Sequence, residues 1–339
     1  TALVLVNGVK AIVASDGRYK AAGVSLSEGS NLITANAIKS NGQTSSHSIT
    51  VNYHSAPVPP ISLSITSPAN NSTINRPTTT VKGTVTTSSP EVSIKVNGIL
   101  ADIYGNQFVA NNVPLTEGSN TIIANALDSN GAVAMAEVTV TASTAGPYIT
   151  LSANITSGIP PLTTYFSLST STPNPIVSYQ TDFEGKGVVG YSGARFENVT
   201  YTYTTEGIFY PTVTVTDDKG NKYSDTIAIT VLNKAEIDAL LKGKWEGMKE
   251  KLIAKDVEKA LKYFDGSSKE KYRKVLLMLL DYLPTIATNM GSIIMDYVTQ
   301  GVAEYRISRM EDTGGQSIEI TYFIYFVIDE NGLWSIESM

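Results

Sequence analysis

The segment VNGVKAIVASDGRYKAAGVSLSEGSNLITANAIKSNG, starting at Val6, returns as VNGILADIYGNQFVANNVPLTEGSNTIIANALDSNG from Val96. Asn7-Gly8 aligns with Asn97-Gly98, Glu28-Gly29-Ser30-Asn31 with Glu117-Gly118-Ser119-Asn120, and Asn41-Gly42 with Asn130-Gly131, the offset shifting by one residue. A chain that repeats itself at this length is built from modules, so the repeat limits the fold before any single residue is weighed. Asn-Gly pairs supply the positive φ angles of tight hairpin turns, and the stretches between them alternate apolar and polar side chains as half-buried strands do. Val92, Ile94 and Val96 fall on one strand face, as do Val138 and Val140. These are read as core positions.

The two copies differ in length. Before Val96 the second carries ISLSITSPANNSTINRPTTTVKGTVTTSSPEV, expected to form its opening strands, and the first has no counterpart. Module 1 is therefore expected to have open sheet edges and an uncovered core face. Thr1 is then read as other than the natural start. Two explanations stay open: a proteolytic or cloning boundary, which is the simpler, and a strand donated by a neighbouring chain. The run YHSAPVPP, residues 53 to 60, carries three prolines within four positions and is expected to act as a semi-rigid spacer.

Ile65-Thr66-Ser67-Pro68-Ala69-Asn70, followed by VKGTV at 81 to 85, VNG and EGSN, resembles bacterial Ig-like modules of surface proteins. The resemblance covers residues 61 to 142 and, in part, 3 to 53. It implies a β-sandwich and carries little functional information.

From Gly146 the pattern renews. Gly158, Pro160-Pro161-Leu162, Phe166, Tyr179, Asp182-Phe183, Tyr203, Gly207, Phe209 and the closing Val213 to Asp217 resemble the polycystic kidney disease (PKD) domain over residues 147 to 232. That family is an Ig-like sandwich of microbial surface proteins and extracellular hydrolases. Two departures weaken any ligand role for its acidic turn: Thr181 stands where the family has Trp, and the turn reads Glu184-Gly185-Lys186-Gly187. Pro211 falls inside the strand pattern and is expected at an edge or bulge, because it donates no ladder hydrogen bond. Alternation puts Phe209, Val213 and Val215 inward and Thr212, Thr214 and Thr216 outward, as a plain strand face or a glycan-binding one. Tyr203 suits a tyrosine corner. Asp217-Asp218 before Gly220-Asn221 fits a calcium-holding turn or, more simply, a hairpin turn.

Past Asn233 composition shifts to helix formers and the period to 3.6. Ile237, Leu240, Leu241, Trp245, Met248 and Leu252 form one apolar stripe; a short helix follows Asp256, with Val257, Ala260, Leu261 and Phe264 inward. Ser267 with Glu270 reads as a capping box opening a third helix, which Pro284 is expected to end or kink. Strands follow at SIIMDYV, AEYRISRM, SIEITYFIYFVI and LWSIESM, with Gly314-Gly315 and Glu330-Asn331-Gly332 as turns. Three helices before a curled antiparallel sheet resemble the cone-shaped fold of nuclear transport factor two and the polyketide-cyclase-like proteins. Trp245, Met248, Tyr272-Arg273, Tyr305 to Arg309, Tyr322 to Phe326 and Asp329 to Ile336 further resemble a C-terminal module of bacterial PKD-containing surface proteins.

That resemblance implies a pocket between helices and sheet. Tyr272, Arg273, Tyr305, Arg309, Tyr322, Tyr325 and Trp334 are its candidate pocket or interface residues. Catalysis there needs a buried acid or base with a donor opposite, and alternation sets no carboxylate clearly on an apolar face. Residues 322 to 328 are apolar on both faces, so the outer sheet face is expected to be covered, by a second copy or by the PKD domain.

These readings sum to a fold class: tandem all-β Ig-like sandwiches followed by an α+β cone-shaped domain, with boundaries at 1–55, 56–144, 145–232 and 233–339. The helical tail is expected to be a separate body. The chain has 339 residues, a formal net charge of −6, no Cys and two His, His47 and His54. Disulfides and thiolate metal sites are excluded, and neither nucleic acid nor an anionic membrane is a natural partner. His47 and His54 are read as surface residues in preference to a metal pair. No metal, cofactor or catalytic residue is assigned, with Asp217 and Asp218 the weak calcium candidates. No apolar run spans a membrane. The expectation is a non-catalytic bacterial surface or secreted protein, a fragment of a longer exported chain, with modules as spacers and protein- or glycan-interaction units, or as a filament subunit self-associating through sheet edges. The alternative is an enzyme or small-ligand binder using the C-terminal pocket.

Overall fold

The computed structural model describes residues 3–54, 59–313 and 316–339. Residues 55–58 of the expected spacer and the expected turn at Gly314-Gly315 lie outside them. The chain forms two compact units, Thr1–Val58 and Pro59–Met339. Strands dominate, and among the described residues helices occur only after Asn233.

In the first unit Val9–Lys10, Leu3–Val6, Gly29–Ile38 and Thr44–Tyr53 make a four-stranded sheet, and Ile12–Val13 pairs with Tyr19–Lys20. Its buried apolar core consists of Val4, Val6 and Ala11. Ile33, Ala35 and Ala37 are half-buried against it, while Ile49 stays 54 % exposed.

The second copy is closed. A five-stranded sheet ordered Ile99–Leu100, Val92–Val96, Gly118–Asp128, Val133–Ala142 and Ser72–Ile74 faces a four-stranded sheet ordered Asp102–Tyr104, Gln107–Pro114, Thr78–Thr86 and Ser62–Ser67. The extra run supplies Ser62–Ser67, Ser72–Ile74 and Thr78–Thr86. Val81, Val85, Ile94, Val96, Phe108 and Ile122 are buried between the sheets.

Residues 148–231 form a third sandwich whose core joins Leu151, Phe166, Phe183, Tyr203, Phe209, Val213 and Val215. The Tyr203 hydroxyl donates to the Phe183 carbonyl at 2.8 Å, a corner tie inside the core. Pro211 is corrected in position: it lies in neither strand but between Gly207–Phe209 and Thr212–Asp217, which belong to different sheets. A residue that cannot donate suits the point where the chain changes sheet. The outward threonines are zipped to their neighbours, Thr212 with Thr226 at 2.8 Å and Thr214 with Ser224 at 2.9 Å.

Helix α1 spans Lys234–Ile253 and is capped by Asn233, whose side chain accepts from the amides of Ala235 and Glu236. Leu241, Trp245, Met248 and Leu252 are its buried face. Helix α2, Val257–Ala260, starts at the Asp256 cap. The next two assignments need correction. Helix α3 spans Gly266–Met278, and its cap is Asp265, not Ser267: the Asp265 carboxylate accepts from the Ser267 amide at 2.9 Å. Pro284, expected to close that helix, instead opens a fourth, α4, over Leu283–Asn289. Proline's missing amide is no loss in a first turn.

The expectation of a separate helical body also fails. One seven-stranded sheet runs Gly207–Phe209, Ile229–Val231, Ser157–Gly158, Ile294–Thr299, Val302–Thr313, Gln316–Ile328 and Trp334–Ser338, crossing from the third sandwich into the C-terminal part. Ser157–Gly158 is the splice, parallel to Ile229–Val231 and antiparallel to Ile294–Thr299. Unpaired edge groups of one element meet those of the next, and both are satisfied. The hydrophobic clusters on either side remain distinct.

Candidate functional site

Side chains fill the space between helices and sheet in the C-terminal part. Trp245, Leu241, Phe264, Tyr305, Phe326 and Ile336 are buried there. Tyr305 is buried and donates to Asp238 at 3.1 Å; burial, then the Asp238 charge, holds its phenol far above the ordinary range. The Tyr272 hydroxyl meets the Met339 amide at 2.9 Å and its carbonyl at 3.2 Å, fixing the chain end. Arg273 lies at the surface, its guanidinium against Glu258 at 2.9 and 3.0 Å and against Glu270. Arg309 stacks over the Tyr322 ring at 4.9 Å on an exposed stretch of sheet. Tyr325 hydrogen-bonds Glu304, and this bond, with burial, pushes its phenol up to about 12.

The seven candidate residues are therefore scattered: Tyr272, Tyr305 and Trp334 are buried in one core cluster, Arg309 and Tyr322 lie on an exposed stretch of sheet, Tyr325 stands beside Glu304, and Arg273 is on a helix surface. The outer face carries Phe323 at 49 % exposure, so nothing among the described residues 59–339 covers it there. The third sandwich, expected as one possible cover, meets the sheet at its edge through Ser157–Gly158 and not across this face.

Trp334 instead faces a cleft of about 410 Å³ where the second sandwich, the third sandwich and the C-terminal part meet. Its walls include Glu91, Asp102, Tyr104, Asn106, Ser157, Asn233, Glu236, Leu240 and Trp334. Glu91, buried, sets one wall: its Oε2 lies 2.6 Å from Lys244 Nζ, and its Oε1 accepts from the Trp334 amide at 2.6 Å. The Ser93 hydroxyl donates to the Asn331 carbonyl at 2.7 Å beside it. Asp102 is half-buried; desolvation raises its carboxyl to about 6, opposed by a hydrogen bond with Ser157. Burial, then the neighbouring carboxylates of Glu206 and Glu236, holds the Tyr104 phenol above its ordinary value. The cleft is acidic, edged by two aromatic rings, and rich in hydroxyl and amide groups.

Across the other seam Arg76 pairs with buried Asp225, which also accepts from the Leu151 amide at 2.7 Å. The Asn111 side chain acts like a strand, donating to the Ala228 carbonyl at 2.9 Å and accepting its amide at 2.8 Å. Lys82 Nζ sits 3.4 Å above the Tyr210 ring. None of these junction residues was singled out from sequence. No local pattern marks a polar residue whose partner lies more than a hundred positions away.

Asp217 is part of a turn. Its carboxylate accepts from the side chains of Asn174 at 3.0 Å and Asn221 at 2.8 Å and from the amides of Lys219 and Asn221. Burial acts to raise its pKa, but these bonds outweigh it and hold the group well below the usual carboxylate range. The lone pairs a calcium ion would need are engaged by the hairpin. Among the described residues no group of three or more His, Asp or Glu is arranged to hold a metal. His54 lies 3.0 Å from Glu28, and His47 sits on the strand Thr44–Tyr53.

Residues 61–144 match the family model for glucodextranase, domain B. No curated protein matches the chain. Among solved structures, the chain is similar to the PKD1 domain of the Vibrio cholerae metalloprotease PrtV at 27 % identity, covering 26 % of this chain and 99 % of that one, with a TM-score of 0.21. It is also similar to the fibronectin(III)-like modules of Clostridium thermocellum CbhA (18 % identity, 50 % and 94 % covered, TM-score 0.21). A third similarity is to Bacteroides ovatus SGBP-B in complex with a mixed-linkage heptasaccharide (14 % identity, 68 % and 60 % covered, TM-score 0.17).

Proposed function

We propose that this chain is a non-catalytic surface or secreted protein of bacterial type, whose welded β modules present an interaction cleft to a polysaccharide. One observation carries the reading: the cleft bounded by Glu91, Asp102, Tyr104 and Trp334, built by three parts of the chain together. Carboxylates, amides and hydroxyls beside aromatic rings are the groups that hydrogen-bond and stack on sugars. The match of residues 61–144 to a glucodextranase domain supports a glucan as the first ligand to try.

The C-terminal part is proposed to be a cone of the nuclear-transport-factor-two type whose interior serves packing. The burial of Tyr305, Trp245 and Phe326 between helices and sheet supports that reading. The exposed Phe323 face is proposed as a contact for protein partners or a second copy.

A glycan array probed with the full chain tests the reading. Retention of a glucan that falls at least about tenfold on Tyr104→Ala or Asn106→Ala supports it. Either binding unaffected by both variants, or turnover of the retained sugar, would remove it.

A further inference from the structure

The end of α3 and the start of α4 are apolar in two directions. Tyr272, Leu276, Leu283 and Ala287 turn into the core and are buried. Val275, Met278, Leu279 and Tyr282 follow at i, i+3, i+4 and i+7, the spacing of a single helical face. Helical hydrogen bonds continue past Met278, the Leu279 amide donating to the Val275 carbonyl and the Leu283 amide to that of Leu279. This second stripe points to solvent: Met278 is 84 % exposed, Tyr282 68 % and Val275 42 %. Core packing accounts for the first stripe and leaves the second unexplained.

Apolar side chains exposed singly are ordinary, but a contiguous stripe marks a contact. The charges beside it fix the chemistry of that contact. Lys271 and Lys274 stand on the same face, each four residues before an apolar member, Val275 and Met278. Residues 249–282 hold nine Lys and Arg against six Asp and Glu, a net +3 in a chain of −6. The acids of this stretch are engaged within it: Asp281 by Lys255 at 2.9 Å, Asp256 by Lys259 at 2.7 Å, and Glu258 and Glu270 by Arg273. Lys271 and Lys274 form no ion pair among the described residues, so their charge is open to an anion from outside. The charge of the whole chain speaks against an anionic surface as partner. Charge acts over a Debye length of about 8–10 Å, however, so the local balance decides.

We infer that the corner between α3 and α4 docks on an anionic phospholipid surface, with Met278 and Tyr282 at the level of the headgroups and Lys271 and Lys274 against the phosphates. An apolar stripe with cations beside it holds a helix in the plane of a bilayer surface, and a tyrosine, apolar in body and polar at its tip, suits that boundary. A specific protein interface takes about 20–30 residues a side, whereas this stripe offers four. Among the described residues no helix is long and apolar enough to cross a membrane, so the contact is with the surface and reversible. The corner shares no residue with the cleft lined by Glu91 and Trp334 and does not depend on what that cleft binds.

The test sediments the full chain with vesicles of phosphatidylcholine alone and of phosphatidylcholine mixed with an equal part of phosphatidylglycerol. Binding about tenfold or more tighter to the mixed vesicles, weakening as salt is added, is expected. Met278→Ser with Tyr282→Ser should lose most of that binding, and Lys271→Gln with Lys274→Gln should bring the two vesicle types about level. All four side chains are exposed, so an unchanged thermal transition verifies that each double variant keeps the fold. Failure to sediment with the mixed vesicles overturns the inference. So does equal binding to both vesicle types, or binding that neither double variant weakens. Self-association of the chain that Met278→Ser with Tyr282→Ser abolishes would make a second copy the occupant, with the same consequence.

Discussion

At the scale of the residue, Gly83 shows why VKGTV reads as it does. A Cβ there would lie 2.2 Å from the Phe108 ring and 2.2 Å from the Ser64 carbonyl. Phe108 lies directly across the strand pair from Gly83, and Ile65 opposes it on the other side. The ring can turn aside but the carbonyl cannot. Gly83→Ala should therefore destabilise the second sandwich by about 1–3 kcal/mol, as overpacking does, with unchanged stability in urea denaturation the contrary result. Asp102 predicts a pH dependence. Its carboxyl is raised from 3.8 to about 6 by desolvation, so the folded state holds the proton more tightly than the unfolded one. Stability then falls as pH rises from about 4 to about 6 and is flat above. At 1.36 kcal/mol per unit the loss is about 1–3 kcal/mol. Asp102→Asn keeps an acceptor for Ser157 and removes the charge, so it should be the more stable protein at pH 7 and lack that falling limb. Denaturant titrations from pH 4 to 8 check both. Sequence gave no hint of either role: Gly83 looks like a strand glycine and Asp102 like a solvent-facing acid until their neighbours are known.

Among the elements, the hairpin turns were the most legible. Asp128, Asp217 and Asp329 each begin an Asp-x-x-Gly turn, and each carboxylate Oδ1 accepts from the amides two and four residues on. The rule is local, so the sequence shows it. The stripe of α1 and the alternation of the long C-terminal strands were legible for the same reason. By contrast Ser157–Gly158 is a two-residue strand followed by Ile-Pro-Pro, too short to show alternation, yet it joins two modules into one sheet. The Ile159 amide donates to the Val298 carbonyl at 3.2 Å and the Gln300 amide to the Ser157 carbonyl at 3.0 Å. A Cβ on Gly158 would sit 3.0 Å from the Val298 carbonyl and 2.9 Å from Leu162. Gly158→Val should part the splice, costing about 1–3 kcal/mol and speeding amide exchange at Ile159 and Gln300, whereas exchange in the distant strand Thr78–Thr86 stays unchanged. Equal exchange at all these sites would mean that the splice has no mechanical role.

For the whole molecule, the modules were readable and their union was not, because periodicity reports which face a strand buries and not what lies at its end. Within Pro59–Met339 the second sandwich is held to the C-terminal part through Glu91, which serves Lys244 and the Trp334 amide at once. Removing one partner from a buried ion pair leaves the other charged and desolvated, at a cost of about 3–5 kcal/mol. Ser93 and Lys95 each donate one further bond to the turn at Glu330-Asn331, at about 0.5–3 kcal/mol apiece, so the Glu91 pair is the largest single tie at this junction. Glu91→Ala should therefore uncouple modules that otherwise unfold together. In a calorimetric scan the wild-type chain should show one transition for residues 59–339 and a separate, lower one for residues 3–54, whose buried apolar core is Val4, Val6 and Ala11. Glu91→Ala should split the larger transition in two and leave the smaller unmoved. Glu91→Gln, which retains an acceptor for the Trp334 amide, should fall between. A variant scan in which the larger transition stays single and shifts by less than about 1 °C would show that the modules are held together by something other than this junction.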